Sequence, residues 1–147
     1  MATWSFQDIK AAFEGPGGAF PLAPDSGNAA EGISFAPAGD KNIMTEGAGG
    51  EIMHSLRASQ AGTLTITLLK TSNTNGLLQG VYNFQASSAK LWGKNSVVIT
   101  NTQTGEVSIF KQGAFAKLPD KSWAEEGGTV AWTLHGTLFT NPGLYTE

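Results

Sequence analysis

The sequence has no cysteine. Disulfides and thiolate metal centres are therefore excluded, although this absence does not fix a compartment. Charge is scarce too: Asp, Glu, Lys and Arg together make up 14% of the residues, against about 25% in ordinary soluble domains. A solvated surface normally carries more. Two readings stay open: much of the surface is covered by other subunits, where charge is depleted, or the chain is a neutral, Thr- and Ser-rich secreted domain. Positive charge is in deficit, with a net charge of −3 and a pI near 5.3. That argues against tight duplex binding, which depends on Lys and Arg neutralising phosphates. A weakly acidic protein can still sit beside DNA if its task is to repel it. No run of about 18 apolar residues occurs, and Met1 to Phe6 has neither the basic nor the apolar region of a signal peptide. No membrane insertion and no secretory leader are expected, and no N-x-[ST] glycosylation site is present. The chain is expected to be made in a cytoplasm and to stay there or leave by lysis.

What is present is enough apolar side chain for a core, 40% of 147 residues, in a length that fits one domain, 1–147. Glycine is abundant, 19 residues, and it falls between apolar runs, as turn residues do. Trp4 to Phe13 alternates with a change of parity that predicts a bulge near Gln7. Gly15-Pro16-Gly17-Gly18 predicts a turn into a short strand at Ala19 to Leu22. Ala23 to Glu31 reads as loop, and Gly32 to Pro37 as a third strand. Residues 39–61 form a long, polar, turn-rich excursion. Within it, extended pieces at Asn42 to Thr45 and Glu51 to Arg57 flank Glu46-Gly47-Ala48-Gly49-Gly50.

Thr63 to Lys70 is a strand with Leu64, Ile66 and Leu68 on one face and Thr63, Thr65 and Thr67 on the other. Ser72 is the expected N-cap of the one helix, about residues 73–87. Leu77, Leu78, Val81 and Tyr82 form its apolar stripe, and Gly76 and Gly80 form a small-xxx-small pair suited to close packing. Strands follow at Ser96 to Thr100 and Glu106 to Gln112, with a bulge at Gly113 where apolar parity shifts. Lys117 to Gly128 is loop. Thr129 to Thr140 is the longest strand, with Val130, Trp132, Leu134 and Leu138 turned inward. The fold class is mainly β: a barrel or sandwich with one flanking helix.

Reactive chemistry is thin. His54 and His135 share no metal-ligand spacing. Asp120, Glu125 and Glu126 lack the spacing of a calcium loop. Gly93-Lys94 lacks the glycine that a phosphate loop would need at Ser88. No nucleophile–base constellation is present, so no enzyme activity, metal or cofactor is expected. Trp92 and Trp123 leave a sugar-binding surface open as a minor alternative.

Gly39-Asp40-Lys41-Asn42-Ile43-Met44-Thr45-Glu46-Gly47-Ala48-Gly49-Gly50, running on through Glu51-Ile52-Met53-His54-Ser55-Leu56 and Gly62 to Ser72, resembles a family of small structural proteins of tailed phages of Gram-negative bacteria. Gly15-Pro16-Gly17-Gly18 and Gly127-Gly128-Thr129-Val130-Ala131-Trp132 fit the same family. It is identified as the tail tube protein family, related in fold to the type VI secretion tube subunit. The resemblance implies hexameric rings stacked into a hollow tube that conducts DNA without binding it tightly. It also implies sheath, baseplate and tail-terminator partners and a place in the virion tail. An extended loop then reaches the next ring. Here that contact would fall to Asp40, Lys41, Ile43, Met44, Glu46, Glu51, Ile52, Met53, His54, Leu56 and Arg57. The alternative is that the loop folds back on its own barrel. The competing function is a receptor- or sugar-binding sandwich of a virion, in which the same loop would be a free tip.

Overall fold

The computed structural model describes residues 3–5, 8–23 and 28–141. Along them run β1 (Ile9–Gly15), β2 (Gly18–Ala23), β3 (Asn28–Pro37), β4 (Asn42–Glu46), β5 (Ile52–Leu56), β6 (Ala61–Leu69), α1 (Thr74–Ala86), β7 (Asn95–Asn101), β8 (Glu106–Lys117) and β9 (Thr129–Asn141). All strands but β4 and β5 join a seven-stranded sheet in the order β2-β1-β7-β8-β9-β6-β3. Every pairing in it is antiparallel. The sheet does not close: β2 and β3 are its two edges, so the architecture is an open, sandwich-like sheet rather than a barrel.

The alternation expected of β6 and β9 is realised. Leu64, Ile66, Leu68, Trp132 and Leu134 are buried, and Leu64 stands opposite Leu134 and Ile66 opposite Trp132. They form one core with Phe13, Leu22, Val97, Phe110 and Phe115, against which Val130 and Leu138 pack. Because β6 and β9 are neighbours, their threonine rows merge into one face, with Thr65 opposite Thr133 and Thr63 opposite His135.

The bulge expected at Gly113 is present. Register slips between Lys111 and Ala114, and Gln112 takes φ 55°. The extra residue is what lets Phe110 and Phe115, of opposite parity, both enter the core. The Gly15–Gly18 hairpin turn also forms. The bulge expected near Gln7 lies outside the described residues.

Several expectations are corrected. The segment read as loop to Glu31 already pairs at Asn28, opposite Leu68. Ladder pairing, which a polar sequence does not advertise, overrides local pattern there. Asn73, not Ser72, is the helix N-cap. Ser72 Oγ instead accepts from the Thr74 N–H at 3.3 Å. Leu78 and Val81 are buried and Tyr82 packs against the core, but Leu77 is 50% exposed. Gly76 and Gly80 make no close packing within the subunit, since a Cβ at either would meet nothing within 4 Å.

One anchor of the helix is polar. Gln85 and Asn95 are both fully buried. Gln85 Nε2 donates to Asn95 Oδ1 at 2.6 Å, and Asn95 Nδ2 donates to Gln85 Oε1 at 2.9 Å. The remaining amide protons reach Pro16 O at 2.9 Å and Gly113 O at 3.0 Å. Helix, first hairpin and bulge are thus fastened at one point. Asn95→Leu strands the Gln85 amide in the core, where each buried orphan costs about 1–3 kcal/mol. Urea denaturation is expected to show a loss of about 2–5 kcal/mol. The double variant Gln85→Leu/Asn95→Leu should cost less than the sum of the two singles. Strict additivity would show that the two amides do not act as a pair.

Candidate assembly interface

The excursion at 39–61 folds into a separate two-stranded sheet, β4 with β5. The glycines between its strands make the turn: Gly47 N–H donates to Glu51 O at 2.7 Å, Gly50 N–H donates to Gly47 O at 3.0 Å, and Gly50 has φ 88°. At the base, Arg57 N–H donates to Lys41 O at 2.8 Å, and Lys41 Nζ donates to Ser59 O at 3.3 Å. A hollow of about 370 Å³ beside the base is lined by Asp40, Lys41 and Arg57 together with Phe35, Pro37 and Leu138.

Cross-strand pairing fixes which side chains share a face. Met44 is opposite His54, Glu46 opposite Ile52 and Asn42 opposite Leu56. Ile43 is opposite Ser55 and Thr45 opposite Met53. Since successive residues alternate faces, Met44, Ile52 and Leu56 lie on one side of the ribbon, and Ile43 and Met53 on the other. Asn42 Nδ2 sits 3.1 Å from His54 Nδ1 on the first side. Ile43, Met44, Ile52 and Met53 are 48–59% exposed and Leu56 83%. The ribbon therefore does not fold back on its own sheet. Glu46 and Glu51 flank the tip, also exposed.

An isolated two-stranded ribbon is marginally stable in water, and one with apolar side chains on both faces has nothing of its own to bury them. Full burial of such a side chain stabilises by about 1.5–3 kcal/mol. The main sheet is unfinished in a second way, because among the described residues β2 and β3 each have a strand neighbour on one side only. Such edges invite pairing with another chain.

The residues considered for chemistry do not converge. Among the described residues, no group of His, Asp and Glu could hold a metal ion. Asp120 lies 3.8 Å from Lys117 in an exposed loop pair. Trp92 packs edge-on against Tyr82, whereas Trp123 is 84% exposed. Sequence reasoning overlooked a cleft beneath Trp123, between the start of α1 and the 119–123 loop. Its only sequence signals were a tryptophan in a polar loop and a glycine in the first turn of a helix.

Open sheet edges and a projecting ribbon with apolar side chains on both faces are features of a structural subunit. The sequence matches the family of the Bacteriophage PhiTE tail tube protein over residues 1–139, and the chain belongs to that family. It is a structural subunit of a phage tail tube, a component of the virion tail, and not an enzyme. No curated protein matches it by sequence. Among the described residues no helix is long and apolar enough to cross a membrane.

Solved structures share the fold. A chain of the PVC sheath–tube complex, an extracellular contractile injection system in its extended state, aligns with TM-score 0.58 at 12% identity, over 94% of this chain and 90% of that one. A chain of the anti-feeding prophage baseplate, six-fold symmetrised, gives 0.55 at 13%, over 99% and 97%. One from the anti-feeding prophage tube-terminating cap gives 0.53 at 13%, over 95% and 90%.

Proposed function

We propose that the whole chain, 1–147, acts as one tube-forming unit, that six copies close a ring, and that rings stack into a tube through which DNA passes. The observation that carries this is the β4–β5 ribbon, with apolar side chains exposed on both faces. A ribbon so built is finished only between two other surfaces. Stacked rings supply them, and the ring-to-ring contact then falls to Ile43, Met44, Ile52, Met53 and Leu56, with Asp40, Lys41, Glu46, Glu51, His54 and Arg57 at the rim setting register. Pairing of β2 and β3 edges between neighbours closes the ring and removes the exposed edges. A relative in fold that comes from a six-fold symmetrised assembly favours the same count. Relatives from sheath–tube, baseplate and cap assemblies make sheath, baseplate and terminator proteins the expected partners.

The merged threonine face of β6 and β9 suits a channel wall. Small hydroxyl side chains are uncharged and offer phosphate no ion pair, and a chain of net charge −3 has no excess of cations with which to hold DNA. Electron microscopy of the concentrated protein tests the proposal. Rings of six subunits, stacked with an open bore, are expected. Rings of another order, a bore lined throughout by unpaired Lys or Arg, or a protein that stays monomeric at high concentration would each overturn it.

A further inference from the structure

Stacking identical rings head to tail is a heterologous contact, in which one end of the subunit meets a different surface at its other end. The ribbon leaves the main sheet at the start of β6, where Ala38 N–H donates to Ala61 O at 2.9 Å. The overlooked cleft lies beyond the far end of that strand, nine residues on, or about 30 Å at ~3.3 Å per residue. Its volume is about 340 Å³. Val130 and Trp132 line it, α1 contributes Asn75, Gly76 and Gln79, and the facing loop contributes Pro119 to Trp123.

The indoles and the two lysines of the cleft suit an apolar, acidic-tipped visitor, and Asp120 is the one carboxylate in the lining. The Trp132 Nε1–H is satisfied by Asn75 Oδ1 at 3.0 Å, so the indole offers apolar surface with no unmet donor. Trp123 is 84% exposed, held by Lys70 Nζ at 5.7 Å from its ring centre and by the bond from Lys70 Nζ to Ser122 O. Gly76 costs the helix about 1 kcal/mol relative to Ala, and the side chain it lacks leaves open space on the cleft wall. Lys70 and Lys121 line the same cleft. On the ribbon, Glu46 and Glu51 flank the tip. Every methionine after Met1 is there too, as Met44 and Met53, and a thioether packs well against an indole.

We propose that this cleft receives the β4–β5 ribbon of a second copy of the chain in the adjoining ring, the apolar side chains seating on Trp123 and Trp132 and the tip carboxylates facing Lys70 and Lys121. This rests on the ring-stacking reading above.

The test places a photoreactive benzoylphenylalanine at position 122, on the cleft wall beside Trp123, and irradiates assembled tubes. Trypsin cuts after Lys41 and Arg57, so the expected adduct is to the peptide Asn42–Arg57. The ends of β6 are too far apart for this adduct to form within one subunit, and it should vanish on dilution to monomer. Tubes that cross-link to any other segment, to another tail protein, or not at all overturn the docking alone. An absence of tubes from the unsubstituted chain overturns the stacking reading and the docking with it. A second pair of variants keeps packing separate from helix stability. Gly76→Ala and Gly80→Ala both favour the helix, but only Gly76 lines the cleft. Gly76→Ala is expected to raise the concentration needed for polymerisation at least ten-fold, and Gly80→Ala to leave it unchanged. Equal polymerisation by both overturns the proposal.

Discussion

Replacing Leu78 with aspartate is expected to leave the protein insoluble. Leu78 has no exposed surface and belongs to the same core as Phe13, Trp132 and Leu134. A carboxylate there has no cation to pair with, and an unpaired buried charge costs several kcal/mol. Domains of this size are stable by only about 5–15 kcal/mol, so the substitution consumes much of the margin. Its neighbour is the control. Leu77 is 50% exposed, and Leu77→Asp should shift stability by no more than about 0.5 kcal/mol, as surface changes do. Soluble fraction and urea midpoints of the two variants decide the matter. A folded, soluble Leu78→Asp protein would mean that the helix presents a different face to the sheet.

The second large effect is on assembly, not folding. Replacing Thr45 to Met53 by an Asn-Gly turn removes most of the ribbon and closes it with a dipeptide suited to a two-residue hairpin. The seven-stranded sheet and α1 share no strand with the ribbon, so melting should stay close to that of the parent. Long tubes should disappear, because Ile52, Met53 and the acidic tip go with the deletion. Electron microscopy reads the outcome directly. Normal tubes from the shortened chain would place the contact elsewhere.

Much of this architecture was legible because period and burial agree. β6 and β9 alternate Thr with Leu, Ile or Trp, and each inward position is buried or packed on the core. The bulge was legible at Gly113, which lies between Phe110 and Phe115, two apolar residues of opposite parity. Leu77 was misplaced because two consecutive leucines lie about 100° apart on a helix, and nothing local says which edges the stripe. Asn28 to Glu31 looked like loop because its strand identity comes from its partner β6. The ribbon was legible as two extended pieces, but the division of its apolar residues between two faces depends on register, which only pairing reveals. The buried amides had a signal that pattern reading passed over: Gln85 falls on the stripe of Leu78 and Val81. A polar residue in such a place needs a partner, and that partner, Asn95, comes from the next strand.

That amide pair has a chemical consequence for a particle that works outside the cell. Neither Gln85 nor Asn95 titrates, so the clasp between helix, hairpin and bulge carries no ionisable group. A carboxylate and an amine in the same place would lose their bond in strong acid or strong alkali and would have to be desolvated as ions. Four bonds among neutral amides and carbonyls are indifferent to both. That fastening point is therefore the same in acid, alkali or brine.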